Sequence, residues 1–171
     1  MADTIIVPVF IIIIMEIYLI IQARLDAKTG YVYSAPNDAA LWFGLAVFTI
    51  YQLIDYRDIR ISVLEALLIG VLFYLMSAPF FKEKKVMQPS DAKAYAAIYL
   101  SSYMVVSQEY ASYVLCIALI IANTAMVIYY RCIKRCELNE RKPYFPFILI
   151  GYTGAIIINM IAYHSGLPLT A

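Results

Sequence analysis

Asp26-Ala27-Lys28 and Asp91-Ala92-Lys93 are the same triplet met twice, each within a few residues of a long apolar stretch. Two carboxylates held close together do not both ionise easily, so the pair shares a proton. The ionised member then activates water as a general base, and the protonated member polarises a carbonyl. That is amide hydrolysis without a metal and without a nucleophilic side chain. Position alone does not establish it, because acids at a membrane border are commonly solvated or paired with a nearby lysine.

Other chemistries find fewer residues. The chain has one histidine, His164, and three cysteines, Cys116, Cys132 and Cys136. An odd cysteine count gives no paired disulfide framework. Cys132 and Cys136 lack the further ligands that zinc requires, and free thiols are the simpler expectation. Cys116 is expected to pack within a helix. There is no Gly-x-Ser-x-Gly elbow and no glycine-rich phosphate loop. The net charge of +1 gives no footprint for nucleic acid.

The elements that position the aspartates follow from composition. At 64% hydrophobic and only 15% charged, the chain lacks the charge to coat a globule, so its apolar excess must face lipid. The segment after Met1 has no basic lead and no small-residue cleavage site, so no cleavable signal peptide is expected. Spans of roughly 20 apolar residues are expected at 5–23, 39–54, 61–81, 91–106 (apolar from 94), 111–130 and 145–163. The expectation is therefore an all-α integral membrane protein, one transmembrane domain of six helices over 1–171. The fourth and fifth spans are joined tightly around Ser107-Gln108-Glu109. Tyr51, Tyr56, Tyr129, Tyr130 and Tyr163 lie near segment ends, as an interfacial belt requires.

Charge sorts by side. The connections after the first, third and fifth spans hold 11 of the 13 basic residues, and the other side holds only Arg57 and Arg60. The positive-inside rule then places these three connections in the cytoplasm and both termini outside. Asp26 and Asp91 fall on the cytoplasmic face. His164 falls on the other face, away from Cys132 and Cys136.

Three patches carry a family resemblance. Asp26-Ala27-Lys28-Thr29-Gly30-Tyr31-Val32 follows the first span. Ser90-Asp91-Ala92-Lys93-Ala94-Tyr95-Ala96-Ala97 opens the fourth. Lys142-Pro143-Tyr144-Phe145-Pro146-Phe147-Ile148-Leu149-Ile150-Gly151 leads into the last. Together, in this order, they resemble the type IV prepilin peptidases, GxGD-type aspartic peptidases, in their small form without a methyltransferase part. The resemblance implies that Asp26 and Asp91 are the catalytic pair. It implies endopeptidase removal of a short basic leader from a prepilin or pilin-like substrate, just ahead of that substrate's hydrophobic helix. It implies the cytoplasmic membrane of a prokaryote, with the site facing the cytoplasm, lipid as the surroundings, and no metal or cofactor. It leaves the oligomeric state open.

One departure stands out. Where the family has GxGD, this chain reads Gln88-Pro89-Ser90-Asp91, with both glycines replaced. Pro89 stiffens the turn, and Ser90 is expected to N-cap the fourth helix. Asp91 then sits in the first turn, where the helix dipole favours its ionised form, which suggests Asp91 as base and Asp26 as acid. Lys28 and Lys93 follow the aspartates at the same spacing and either tune them or meet lipid and solvent. Glu16, deep in the first span, is expected to hydrogen-bond a polar group such as Asn123. Gly151 and Gly154 suit close helix packing. The rival reading is a non-enzymatic or degenerate relative, such as a pilus assembly subunit or small transporter. In it Asp26 and Asp91 are far apart or individually dispensable.

Overall fold

The computed structural model describes residues 3–30, 32, 34–55, 89–105, 108–135 and 142–165. Among them it is all-helical, with no strand. The helices are α1 (Asp3–Thr29), α2 (Ser34–Asp55), α3 (Pro89–Val105), α4 (Gln108–Val127) and α5 (Phe145–His164). A π-helical segment, Ile128–Ile133, continues α4. Two stretches, Ala111–Ile133 and Phe145–Ala162, are long and apolar enough to cross a membrane. The expected span at 61–81 lies outside the described residues, as do Arg57, Arg60, Lys82, Lys84, Lys85 and Cys136.

α1 corrects the first expected boundary. Its hydropathy falls at Ala23, yet the helix continues to Thr29. No helix breaker intervenes before Gly30, which takes φ +67 and ends the helix in the left-handed conformation that glycine adopts without strain. The Gly30 N–H donates to the Asp26 carbonyl at 2.8 Å, and the Thr29 hydroxyl donates to the Leu25 carbonyl at 2.8 Å. Asp26 is therefore a helical residue in the penultimate turn, not a loop residue past the end. At 1.5 Å per residue α1 is about 40 Å long, more than the roughly 30 Å of a bilayer's hydrocarbon.

Prolines mark the other starts. α2 begins at Ser34 rather than 39, because Pro36 falls in the first turn, where its missing N–H costs nothing. α3 begins on Pro89 itself, the position proline favours. Ser90 is then inside the first turn, so it does not cap the helix as expected from the sequence.

α3 is the centre of the bundle. From Asp91 to Ser102 every residue is buried except Lys93. Its small side chains (Ala92, Ala94, Ala97, Ser101) let neighbours approach on all sides, and α1, α2, α4 and α5 all pack on it. α3 and α4 lie against each other although only residues 106 and 107 separate them in sequence. α4 and α5 pack closely through Gly151, where an added Cβ would stand 2.3 Å from the Ala118 carbonyl oxygen.

The surface inverts the usual distribution. Phe10, Trp42, Ile120 and Ile161 are each more than 60% exposed. Gln22, Asp26, Asn37, Asp91, Ser101, Ser102 and Asn159 are buried inside. Cys116 is exposed on α4 rather than packed. Tyr130 is buried and forms an aromatic cluster with Tyr129 and Phe147, at centroid distances of 5.1 and 5.6 Å. It belongs to the core and not to an interfacial belt.

Candidate active site

Asp26 is 5% exposed and faces the start of α5. Its Oδ2 accepts the main-chain N–H of Tyr144 at 2.7 Å and that of Phe145 at 3.0 Å. The sequence explains why these two. A helix leaves its first N–H groups without internal partners. Pro143 and Pro146 have no N–H, so Tyr144 and Phe145 are the only donors between 143 and 146. Phe147 N–H then turns back to the Tyr144 carbonyl at 2.9 Å. Every N–H at this helix start has a partner, and one carboxylate oxygen of Asp26 supplies two of them. The Tyr130 hydroxyl donates to the Pro143 carbonyl at 3.1 Å, which fixes the lead-in from its other side.

Asp91 lies in the first turn of α3 and is 4% exposed. Tyr95 is one turn further along α3 and meets Tyr144 through a 3.0 Å hydroxyl contact. The single Tyr144 hydroxyl hydrogen goes to Asn123 Oδ1 at 3.2 Å, so Tyr95 donates and Tyr144 accepts. Burial, and then the nearby Asp91 charge, push the Tyr144 hydroxyl up to about 12, although the bond it accepts from Tyr95 acts the other way. Tyr144 is therefore a neutral hydroxyl at physiological pH.

The helices that carry the two aspartates thus meet at one residue. Asp26, from α1, holds the main chain of Tyr144. Tyr95, one turn beyond Asp91 on α3, bonds its hydroxyl. Sequence reasoning gives Tyr144 and Tyr95 no role of their own and casts Asn123 only as a partner for Glu16. The only signal for Tyr144 was its place between two prolines, because its link to Asp26 runs through the backbone and carries no side-chain signature.

The supporting residues divide. Lys93 forms an ion pair with Asp38 of α2, so it ties α2 to α3 rather than facing lipid. Lys28 is exposed at the end of α1, and Ser90 is half-buried in the first turn of α3. Glu16 accepts a 2.8 Å bond from the Thr153 hydroxyl of α5. Its partner is not Asn123, whose Nδ2 donates to the Leu119 carbonyl instead.

Tyr18, Gln22 and Asp26 are four residues apart and share one face of α1. The Tyr18 hydroxyl donates to Asn37 Oδ1 at 2.5 Å. Gln22 is fully buried, and neither its Oε1 nor its Nε2 has a partner among the described residues. Asn37 is also fully buried, and its Nδ2 has none among them. A buried polar group left unsatisfied costs about 1–3 kcal/mol, so these amides call for an explanation.

Among the described residues no group of three or more His, Cys, Asp or Glu is arranged to hold a metal ion. What the described interior holds is a buried Asp26 bonded to the start of α5, a tyrosine pair at that start, and a second buried carboxyl, Asp91, one turn from Tyr95. No protein-family model, no curated protein and no solved structure matches the chain.

Proposed function

We propose that this protein is a polytopic membrane aspartic endopeptidase, similar to the type IV prepilin peptidases, with Asp26 and Asp91 as its catalytic pair. The observation that supports the reading is that both carboxyls, 65 positions apart in sequence, are buried, with Asp26 bonded to the lead-in of α5. Acids at a membrane border are commonly solvated, and these two are not. The lysine at the matching position, Lys93, is engaged by Asp38 instead.

The chemistry follows from the carbonyl to be attacked. Asp91 takes a proton from water as the water oxygen bonds to the scissile carbonyl carbon. Asp26 gives a proton to the carbonyl oxygen, producing a neutral gem-diol. Its Oδ2 is engaged as an acceptor by two N–H groups, so Oδ1 is the oxygen left for proton transfer. Collapse breaks the C–N bond. Asp91 then protonates the leaving nitrogen, and Asp26 recovers its proton from the gem-diol.

The membrane setting rests on the large apolar side chains that cover the outside, the polar ones inside, and the two helices long enough to cross. With the sorting of basic residues, this supports a reading of six spans, and the resemblance implies the cytoplasmic membrane of a prokaryote. Both termini are outside and the carboxyls are at the cytoplasmic face. The substrate is a prepilin or pilin-like chain, cut between its basic leader and its hydrophobic helix. The test is to incubate the purified protein in lipid nanodiscs with such a chain and identify the released leader by mass spectrometry. A cut at the leader–helix border supports the reading, and an intact substrate contradicts it.

The rival, in which Asp26 only caps α5, draws on the same two N–H bonds. Asp26→Asn, which keeps the acceptor and removes the acid, separates the two readings, as argued below.

A further inference from the structure

Resting on the peptidase reading, we infer that Gln22 is a substrate-binding residue that grips the main chain of an extended peptide on the membrane side of the scissile bond, with Asn37 Nδ2 as a second donor.

Gln22 is fully buried, and both ends of its carboxamide lack partners among the described residues. A carboxamide offers one acceptor and an NH2 donor, the complement of a peptide group. Such a side chain is matched by a backbone segment that presents a C=O and an N–H together. Gln22 lies on the stripe that joins Tyr18, bonded to Asn37, to Asp26, bonded to the Tyr144 N–H. The amide therefore stands between the Asn37 carboxamide and the buried Asp26 carboxyl. Asn37 is fixed to the same stripe through Tyr18, which leaves its Nδ2 unengaged among the described residues.

Position gives the register. Gln22 is four residues before Asp26 on α1, a rise of about 6 Å. An extended chain covers that distance in about two residues. Gln22 is also further from the cytoplasmic end of α1, the side on which a substrate's hydrophobic helix would lie. Gln22 would then hold the peptide group about two residues beyond the cut. The bond requires that this stretch of the substrate be unwound from helix, because a helical C=O and N–H are already paired.

The test uses a synthetic peptide with a lysine-rich leader, a glycine and a hydrophobic helix, and the full chain in nanodiscs. Binding is measured on the Asp91→Asn protein, which holds the peptide without cutting it, with and without Gln22→Met. Methionine keeps the length and volume and removes both polar atoms. The expected result is binding weakened about tenfold by Gln22→Met, with thermal stability equal to or above that of the parent. On an Asp91-intact background the same change raises KM more than it lowers kcat. Unchanged binding overturns the inference and leaves the peptidase reading in place if the wild type cuts the peptide. A loss of thermal stability places the Gln22 amide on an internal partner and also overturns it. A wild type that neither binds nor cuts the peptide removes the peptidase reading, and this inference with it.

Discussion

The main-chain N–H of Tyr144 and Oδ2 of Asp26 are 2.7 Å apart, a hydrogen bond between residues 118 positions apart in sequence. It makes Asp26 both a candidate acid and the acceptor that completes the start of α5. The two roles respond differently to substitution. Asp26→Asn keeps an oxygen for the Tyr144 and Phe145 N–H groups, so the helix start is retained and catalysis is lost. Asp26→Ala removes both, leaves two buried donors unsatisfied, and costs about 2–4 kcal/mol in addition to activity. Thermal unfolding in nanodiscs checks this. Equal destabilisation by the two variants would contradict the capping geometry.

The Tyr144 hydroxyl gives a pH signature. Its value rises from an ordinary 10.0 to about 12 in the folded protein. A folded value above the unfolded one means that the neutral form is favoured by folding. The contribution is fully present below about pH 10 and is lost as pH rises through about 12, amounting to about 2–3 kcal/mol. Tyr144→Phe lacks this loss. At neutral pH the variant is less stable than wild type by about 1 kcal/mol, having lost its bonds to Asn123 and Tyr95. Between pH 10 and 12 the gap closes. Parallel unfolding curves across that range would contradict the assignment.

Helix packing makes a sharper test of the α4–α5 contact. At Gly151 the obstacle to a Cβ is the Ala118 main-chain oxygen at 2.3 Å, whereas at Gly154 it is the flexible Cδ1 of Ile121 at 3.0 Å. Backbone cannot give way as a side-chain tip can. Gly151→Ala should destabilise by about 2–3 kcal/mol, and Gly154→Ala by well under half of that. Yield and melting temperature of the two variants, compared side by side, read the difference.

Lys93 and Asp38 are 37% and 45% exposed, and their pair joins α3 to α2. An ion pair this open contributes less than about 1 kcal/mol and is weakened by salt. Lys93→Met and Asp38→Asn should each cause a small loss of stability, with the double variant no worse than the sum and the coupling disappearing at high salt. A large, salt-independent effect would mean that Lys93 has a partner beyond Asp38.

The sequence was informative where chemistry follows from local pattern. The apolar run and the Pro143–Pro146 lead-in located the last helix at 145, where α5 begins. Both aspartates were visible from their repeated triplet. The end of α1 was misjudged because hydropathy reports the apolar segment and not the helix, which runs on until Gly30 stops it. The π-helical turn at Ile128–Ile133 has no recognisable spacing. The partner of Glu16 was misassigned because Thr153 and Asn123 are equally polar in sequence, and only the packing of α1 on α5 selects Thr153. Gln22 carries no site signal in sequence, where it is one polar residue within an apolar span. Its unpartnered state is a property of the assembled interior.

The most direct test of the central claim is the rate at which wild type, Asp26→Asn, Asp91→Asn and the double variant release the leader from a pilin-like substrate, at matched levels of folded protein in nanodiscs. Residues that share one proton act as a unit, and their losses do not add. The account predicts that each single variant abolishes cleavage, with the double variant no slower than either, and that a chelator leaves the wild type unaffected. Cleavage that survives either single substitution would contradict it.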